Sequence, residues 1–390
     1  MKDCFKCPLC GNDDPKKIGY LNGKPYCRAC ISFRGAKTSP PERKNKPSDI
    51  FLDYGLSKEQ QDISDKLVSN YISGKSSLVH AVTGSGKTEI VLSTISYVLS
   101  IGGTVGFAIP RRDVVIEIYD RIKNIFKNNS VIAVYGGHTN KLEGDIICLT
   151  THQLFRYENY FDLLILDEID AFPYNENDVL NTFFFKSIRG HFIQMSATPS
   201  DKVISFFKND GYEILTLNTR YHRHPLPIPE VFVKKFFFKY LFLIQTLKEF
   251  EKAHKPVFVF APTIVLCEKV YSIIKYFLKK VNYVHSKRDK RSEIIESFKK
   301  GNIQILVTTA VLERGVTVKD LQVIIIYADH VLYDDATLIQ ISGRVGRKKD
   351  APEGRVIFIC DKTTEHIKTC IAKIKYANKD LQNLLQFDKG

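Results

Sequence analysis

With 390 residues, 44% of them apolar and interleaved with 26% charged, the chain is long enough for roughly two to three packed domains, and a disordered or membrane-spanning class is disfavoured. The net charge of +14 fits a polyanionic partner bound in a salt-dependent way, although a lysine-rich surface alone is a weak pointer. The longest apolar run, Phe236 to Leu247, is interrupted by Lys239 and too short to cross a bilayer, and the polar start Met1 to Cys10 is no signal peptide, so a cytoplasmic protein is expected.

In chain order, the first feature is a group of five cysteines within the first thirty residues. Cys7-Pro-Leu-Cys10 and Cys27-Arg-Ala-Cys30 are two C-x-x-C knuckles separated by sixteen residues, the spacing of a four-thiolate zinc ribbon. Four thiolates close the tetrahedron, so the Zn²⁺ is expected to be structural. Cys4 is an alternative to Cys7, but Gly11 suits a knuckle that ends at Cys10. Cys148, Cys267, Cys360 and Cys370 fall in apolar strands or helices and read as packing residues. The proline-, lysine- and serine-rich stretch 36–49 reads as a linker.

Leu56 to Gln60 opens an amphipathic helix in which Gln60 faces either an adenine edge or solvent. A short apolar strand then runs into AVTGSGKT, an A-x-x-x-x-G-K-T loop. Thr83, Gly84, Ser85 and Gly86 would cradle a triphosphate with their backbone amides, Lys87 would reach its outer phosphates, and Thr88 would hold Mg²⁺. Strand and helix signals alternate from there, which predicts a parallel sheet flanked by helices. Ligands of such sheets collect at the carboxyl ends of strands, which makes Pro110, Arg111 and Arg112, and Thr150, Thr151, His152 and Gln153, candidate contacts. LLILDEID delivers Asp167, for Mg²⁺, and Glu168, to orient and deprotonate the attacking water. HFIQMSATP ends another strand at Ser196 and Thr198, which can bond to the carboxylate motif and couple nucleotide state to a second domain.

The pattern breaks at TRYHRHPLPIPE, read as an interdomain connector, and then alternates again without a second phosphate loop. This second domain would contribute to the site next door. Arg344 and Arg347, three residues apart near a helix end and on one face, are expected to act as arginine fingers on a γ-phosphate, with Gln340 ahead of them at the nucleotide. TTAVLERGVTV ends a strand in a glycine turn, with Gly315 at the nucleotide and Thr308 and Thr309 on a nucleic-acid backbone. Thr263 joins them as a phosphate contact. The helix from Thr363 to Phe387, with apolar Ile367, Cys370, Ile371, Ile374, Leu381, Leu384 and Leu385, is expected to pack on the second domain.

The ordered set AVTGSGKT, AIPRRD, TTHQL, DEID, SAT, VFVFAPT, TTAVLERGVT and QISGRVGR resembles superfamily 2 helicases from about Leu56 to Arg347. The four-cysteine start, DEIDAFPY, YHRHPLPIPE and VHSKRDKR narrow the resemblance to the ComFA late-competence ATPases of Gram-positive bacteria. It implies an α/β fold of two tandem RecA-like domains with parallel sheets, preceded by a small zinc-ribbon-like module. The boundaries are a zinc-binding module at 1–35, a linker at 36–49, an ATP-binding domain at 50–217, a connector at 218–255 and a second RecA-like domain at 256–390. The resemblance also implies an ATPase stimulated by single-stranded DNA that draws transforming DNA into the cytoplasm at the membrane. ComFC-like, DprA-like and ComEC-like channel proteins are the partners it implies. A different superfamily 2 motor, such as a PriA-like replication-restart helicase, and a nucleotide-switched DNA-binding assembly factor are the alternatives.

Overall fold

Valine- and isoleucine-rich runs buried on both faces suit the interior of a parallel sheet, and the computed structural model contains two all-parallel sheets. It describes residues 5–43, 45, 47–220, 223–309, 318–348 and 350–387. Cys4 and Gly315 lie outside the described residues. The chain divides into two compact units: Met1–Val82 with Gly86–Leu217, and Asn218–Gly390 with Thr83–Ser85.

The first unit starts with an antiparallel hairpin, β1 (Ile18–Leu21) and β2 (Lys24–Cys27). Asn22 and Gly23 turn it with φ of 49° and 77°, an Asn-Gly pair in the left-handed region whose twist matches that of the strands. The large sheet comprises β3 (Ser77–Ala81), β4 (Val105–Ile109), β5 (Val131–Val134), β6 (Ile146–Thr150), β7 (Phe161–Asp167), β8 (Ile188–Ser196) and β9 (Glu213–Leu217). Their order is β5-β6-β4-β7-β8-β3-β9. One face packs on the helices Lys58–Ile72, Leu92–Ser100 and Arg112–Ile125 through residues such as Leu67, Ile95 and Ile122. The opposite face gathers Leu166, Tyr157, Phe183 and Phe184 together with all four knuckle cysteines. The cysteine module is therefore built onto the sheet domain, with Phe33 edge-on to Phe183 at 4.9 Å between ring centroids.

The stretch 36–49, of linker composition, is fastened along the same unit. Thr38 forms a parallel bridge to Tyr157, and Arg156 donates to the Ala36 carbonyl at 2.7 Å. Arg43 pairs with Asp162, and Ser96 donates to the Ser48 carbonyl at 2.6 Å. Asp162 is 1% exposed and also accepts from Arg189 and from the Thr104 amide. Burial pushes its carboxyl upward, but the Arg189 guanidinium, the Thr104 amide and Arg43 together hold it below the ordinary aspartate value.

The second unit has β10 (Glu230–Val233), β11 (Val257–Phe260), β12 (Val281–Val284), β13 (Ile305–Thr308), β14 (Gln322–Ile326) and β15 (Val356–Cys360). Their order is β10-β15-β14-β11-β13-β12. The stretch expected as a connector contributes the edge strand β10 and the helix Phe238–Lys252 to this unit. Within that helix Lys239 is buried, donating to Asp361 at 2.8 Å with its ammonium over the Tyr327 ring. The C-terminal helix, Glu365–Phe387, sinks Ile367, Cys370 and Ile374 into the second core, as expected; the side chains of Leu384 and Leu385 lie outside the described residues. Cys148, Cys267, Cys360 and Cys370 are all buried, and burial pushes the Cys267 and Cys370 thiols up to about 12, which fits a packing role. Among the described residues no helix is long and apolar enough to cross a membrane.

Candidate functional site

Because every strand of the first large sheet runs the same way, the loops after β3, β4, β6, β7 and β8 all emerge at one edge. The register places Asp167 opposite Met195 and Ser196 opposite His80, with β8 lying between β7 and β3. The carboxylate motif, the Ser196 strand end and the phosphate loop are thus adjacent.

In the phosphate loop, Gly84 and Gly86 have φ of 85° and 82°, which only glycine adopts without strain. A Cβ on Gly86 would also lie 2.3 Å from the Gln60 amide nitrogen, so the glycine lets Gln60 lie across the loop. Gln60 is buried and completes a capping box with Ser57, its Oε1 accepting from the Ser57 amide at 2.8 Å. Gln60 thus serves the helix start as a buried cap and not as a solvated side chain. Lys87 spans the loop, donating to the Ala81 carbonyl at 2.8 Å, and Thr88 is buried beside it. Glu89, which the sequence reading passed over, is buried, accepts from Tyr54 Oη at 2.8 Å and pairs with Arg121. These contacts pin the helix that follows the loop.

Asp167 is buried at the end of β7, its Oδ1 accepting the Glu168 amide at 2.9 Å. Glu168 has φ of 60°, an uncommon conformation for a residue with a side chain, and such strain concentrates at functional sites. The chain turns sharply there and brings in Asp170, which accepts from Ser196 Oγ at 2.9 Å and from Thr198 Oγ1 at 3.0 Å. The expected bond between the SAT segment and the carboxylate motif therefore exists, and Asp170 makes it. One glycine-bearing loop, the Lys87 ammonium, the Thr88 hydroxyl and the buried Asp167 carboxylate make a set whose chemistry fits a triphosphate with its Mg²⁺.

At the other two strand ends the side chains are mostly committed. Arg112 starts its helix with the guanidinium 4.8 Å from the Tyr135 ring centroid, Arg111 is that helix's N-cap, and Pro110 is buried. Thr150, Thr151 and Gln153 are buried, and Gln153 accepts from Arg156 at 2.7 Å, so these side chains are turned into the unit. His152 is part-exposed and stacks on Phe33 of the cysteine module at 6.0 Å and 18° between planes; burial lowers its pKa.

In the second unit, Thr263 caps the helix Ile264–Ile274 by accepting from the Leu266 amide, and Thr308 is buried, donating to the Thr309 carbonyl at 3.0 Å. Gln340 is buried in the helix Asp335–Ser342. That helix ends at Ser342, so Arg344 and Arg347 sit in the following turn instead of one turn apart on a helical face. Gly343 is the C-cap, still right-handed at φ −65°, and Gly346, at φ 68°, turns the chain where a Cβ would meet the Pro352 carbonyl at 2.0 Å. Arg220, absent from the sequence reading, organises this turn. It is 2% exposed and donates to the carbonyls of Val345 at 2.9 Å, Gly346 at 3.0 Å and Gly343 at 3.1 Å. Arg347 Nε shares the Gly343 carbonyl at 3.1 Å, and Arg344 is buried.

Cys7, Cys10, Cys27 and Cys30 bring all four sulfurs within 4.8 Å of one another, with Cys7–Cys30 at 3.5 Å and Cys10–Cys27 at 3.6 Å. Zinc–sulfur bonds of about 2.3 Å give a tetrahedron with edges near 3.8 Å, so the cluster is compatible with zinc. Burial pushes the Cys10 thiol up to about 11 and the Cys30 thiol further up. A bound dication reverses that tendency by stabilising the thiolates.

Residues 59–206 match the DEAD/DEAH box helicase family and residues 239–349 the helicase conserved C-terminal domain. The chain is 33% identical to the competence protein ComFA of Streptococcus pneumoniae over 92% of its own length and 87% of that protein. It is 30% identical to ComFA of Bacillus subtilis, covering 96% of this chain and 86% of that protein. Among solved structures, Saccharomyces cerevisiae Dbp5 bound to RNA and ADP BeF3 superposes with a TM-score of 0.64 at 17% identity, over 84% of this chain and 92% of that one, which supports the two-RecA-like-domain fold alone. Both domains of a helicase-class ATP-hydrolysing enzyme are present, and ATP with Mg²⁺ is the nucleotide they imply. With the carboxyl-edge site, the four-cysteine cluster and near full-length similarity in hand, the chain belongs to the ComFA family of competence proteins.

Proposed function

We propose that the chain is an ATP-driven translocase on single-stranded DNA that serves the uptake of transforming DNA at the cytoplasmic face of the membrane. The observation that carries this reading is the convergence of Lys87, Thr88, Asp167 and Glu168 on one sheet edge, in a chain of competence-family sequence. Lys87 and the amides of Thr83 to Gly86 bind the phosphates. Mg²⁺ held by Thr88 and Asp167 would neutralise charge on the phosphates. Glu168 orients the attacking water and accepts its proton, while Arg344 and Arg347 supply positive charge to the γ-phosphate when the two RecA-like domains close.

DNA is gripped without reading its sequence, through the segments at Pro110 to Arg112, Thr150 to Gln153, Thr263 and Thr308 to Thr309, so alternate closing and opening advances the strand. The bonds from Ser196 and Thr198 to Asp170 support a coupling role for that segment. ComFC-like, DprA-like and ComEC-like channel proteins are the partners that fit a competence motor.

Steady-state ATPase activity of the zinc-replete chain, alone and with single-stranded DNA, duplex DNA or RNA at two salt concentrations, tests the reading. Strong stimulation by single-stranded DNA that fades with salt is expected. Equal or greater stimulation by RNA or duplex would overturn the DNA-uptake assignment. Steady turnover that never displaces a protein block from DNA would point instead to a nucleotide-switched assembly factor.

A further inference from the structure

From Pro15 to Arg28 the chain carries Lys16, Lys17, Lys24 and Arg28 and not one carboxylate. All four cations are exposed, and none forms an ion pair among the described residues. They surround the β1–β2 hairpin, whose tip presents Tyr20 and Leu21 at 70% and 69% exposure. Tyr20 lies opposite Pro25 in the register, and both are exposed. On the next pair, a Cβ at Gly19 would come within 2.4 Å of the Tyr26 ring, so the glycine lets that ring lie flat across the ribbon.

The platform is rigid. Its strands pair over four register positions, its turn is Asn22-Gly23, and β2 ends in Cys27 of the four-sulfur cluster. The backbone that carries Tyr20 is thereby fixed, so less freedom is lost when something stacks on its exposed ring. The apolar area at the tip is small for insertion into a bilayer, which needs a broad apolar face. Exposed ring faces among unpaired cations have the composition of a single-strand site, where aromatic rings take bases and cations take phosphates. Elsewhere in the module Phe33 stacks on His152 in the loop after β6, so the ribbon is joined to a strand-end loop of the same unit.

Resting on the reading that this chain binds single-stranded DNA, we propose that the ribbon hairpin is a second, sequence-independent single-strand site. Tyr20 stacks on a base, and Lys16, Lys17, Lys24 and Arg28 contact phosphates. The hairpin thereby lengthens the stretch of strand the protein covers.

The test is fluorescence anisotropy of labelled oligo-dT of increasing length with the full, zinc-loaded chain, at several salt concentrations. Tyr20→Ala should weaken binding of long oligonucleotides by roughly 5- to 100-fold, and Tyr20→Phe should restore it, because stacking needs the ring and not the hydroxyl. Lys24→Gln should lower the slope of log affinity against log salt by about 0.7, the value for one phosphate contact on a single strand. Zinc content and melting temperature of each variant, compared with wild type, establish that the ribbon is intact. Tyr20→Ala binding every length as wild type does would overturn the hairpin site and leave the translocase reading standing. Loss of binding to phosphatidylglycerol vesicles with unchanged DNA affinity would overturn it in favour of a lipid surface. A wild-type chain that binds no oligo-dT at any salt would overturn both readings together.

Discussion

The two parallel sheets differ in the chemistry at their ends: irregular backbone and a buried carboxylate at the carboxyl edge of the first, clustered arginines near the amino edge of the second. In the first unit the carboxyl edge carries the irregular backbone: Gly86 at positive φ, a strained Glu168 and a buried Asp167. In the second unit the hydroxyls of Thr263 and Thr308 at the carboxyl edge are occupied within their own loops, and the turn of Arg344 and Arg347 held by Arg220 lies at the other end of the sheet, where Gly354 leaves room for Val345. The difference teaches that the fold supplies the edges, and that a few loop residues suit one edge to receive an anion and another to present cations.

The largest expected effect breaks the receiving edge. Asp167→Asn and Lys87→Ala should each abolish ATP turnover while leaving the fold and most of the affinity for single-stranded DNA, measured by anisotropy beside the ATPase assay. Loss of DNA binding in both variants, with melting unchanged, would show that the two edges do not divide their work. Next comes the delivering edge. Arg347→Ala should lower kcat by roughly 10³-fold as an arginine finger. Arg220→Ala, which only displaces the turn, should lower kcat by a smaller factor, on the order of 10²-fold, with the KM for ATP nearly unchanged. Arg220→Lys should recover little, because one ammonium cannot reproduce a fork that reaches three carbonyls. Near-normal turnover of Arg347→Ala would remove the asymmetry between the edges.

The smallest effect concerns stability of the first unit. One zinc per chain is expected by elemental analysis, lost in Cys27→Ser/Cys30→Ser, with a lower melting temperature because Phe33 no longer packs firmly on Phe183 and His152. Each 1 kcal/mol lost would lower it by roughly 2–4 °C for a domain of this size. A metal-free wild type of full stability would defeat the expectation.

What was legible in the sequence was local. LLILD followed by Glu168, and a G-K-T loop after an apolar strand, carry their own context within a dozen residues. The buried charges were not legible, because their partners are remote: Arg189 is 27 residues from Asp162, and Asp361 is 122 residues from Lys239. Lys239 reads as an interruption in an apolar run, yet it is a buried ion-pair member. Arg220 sits in a stretch whose prolines and histidines suggest only a connector, and nothing local says that three carbonyls more than a hundred residues later will take its guanidinium. Asp170 follows the two carboxylates expected to matter and was overshadowed by them. The two arginines are legible as a pair, but their placement in a turn is not, since the helix stops at Ser342 and the chain bends at Gly346.

The clamp of Arg43 and Arg189 on Asp162 sets a limit on how the molecule can be shortened. A chain begun at residue 50 would keep every residue of the phosphate site and still be incomplete. It would leave the deeply buried Asp162 with one guanidinium instead of two, strip Phe33 from His152, and uncover the sheet face against which the four cysteines pack. The first unit therefore includes its ribbon as part of its packing, and the four-cysteine cluster belongs to the sheet domain as much as to any partner it meets.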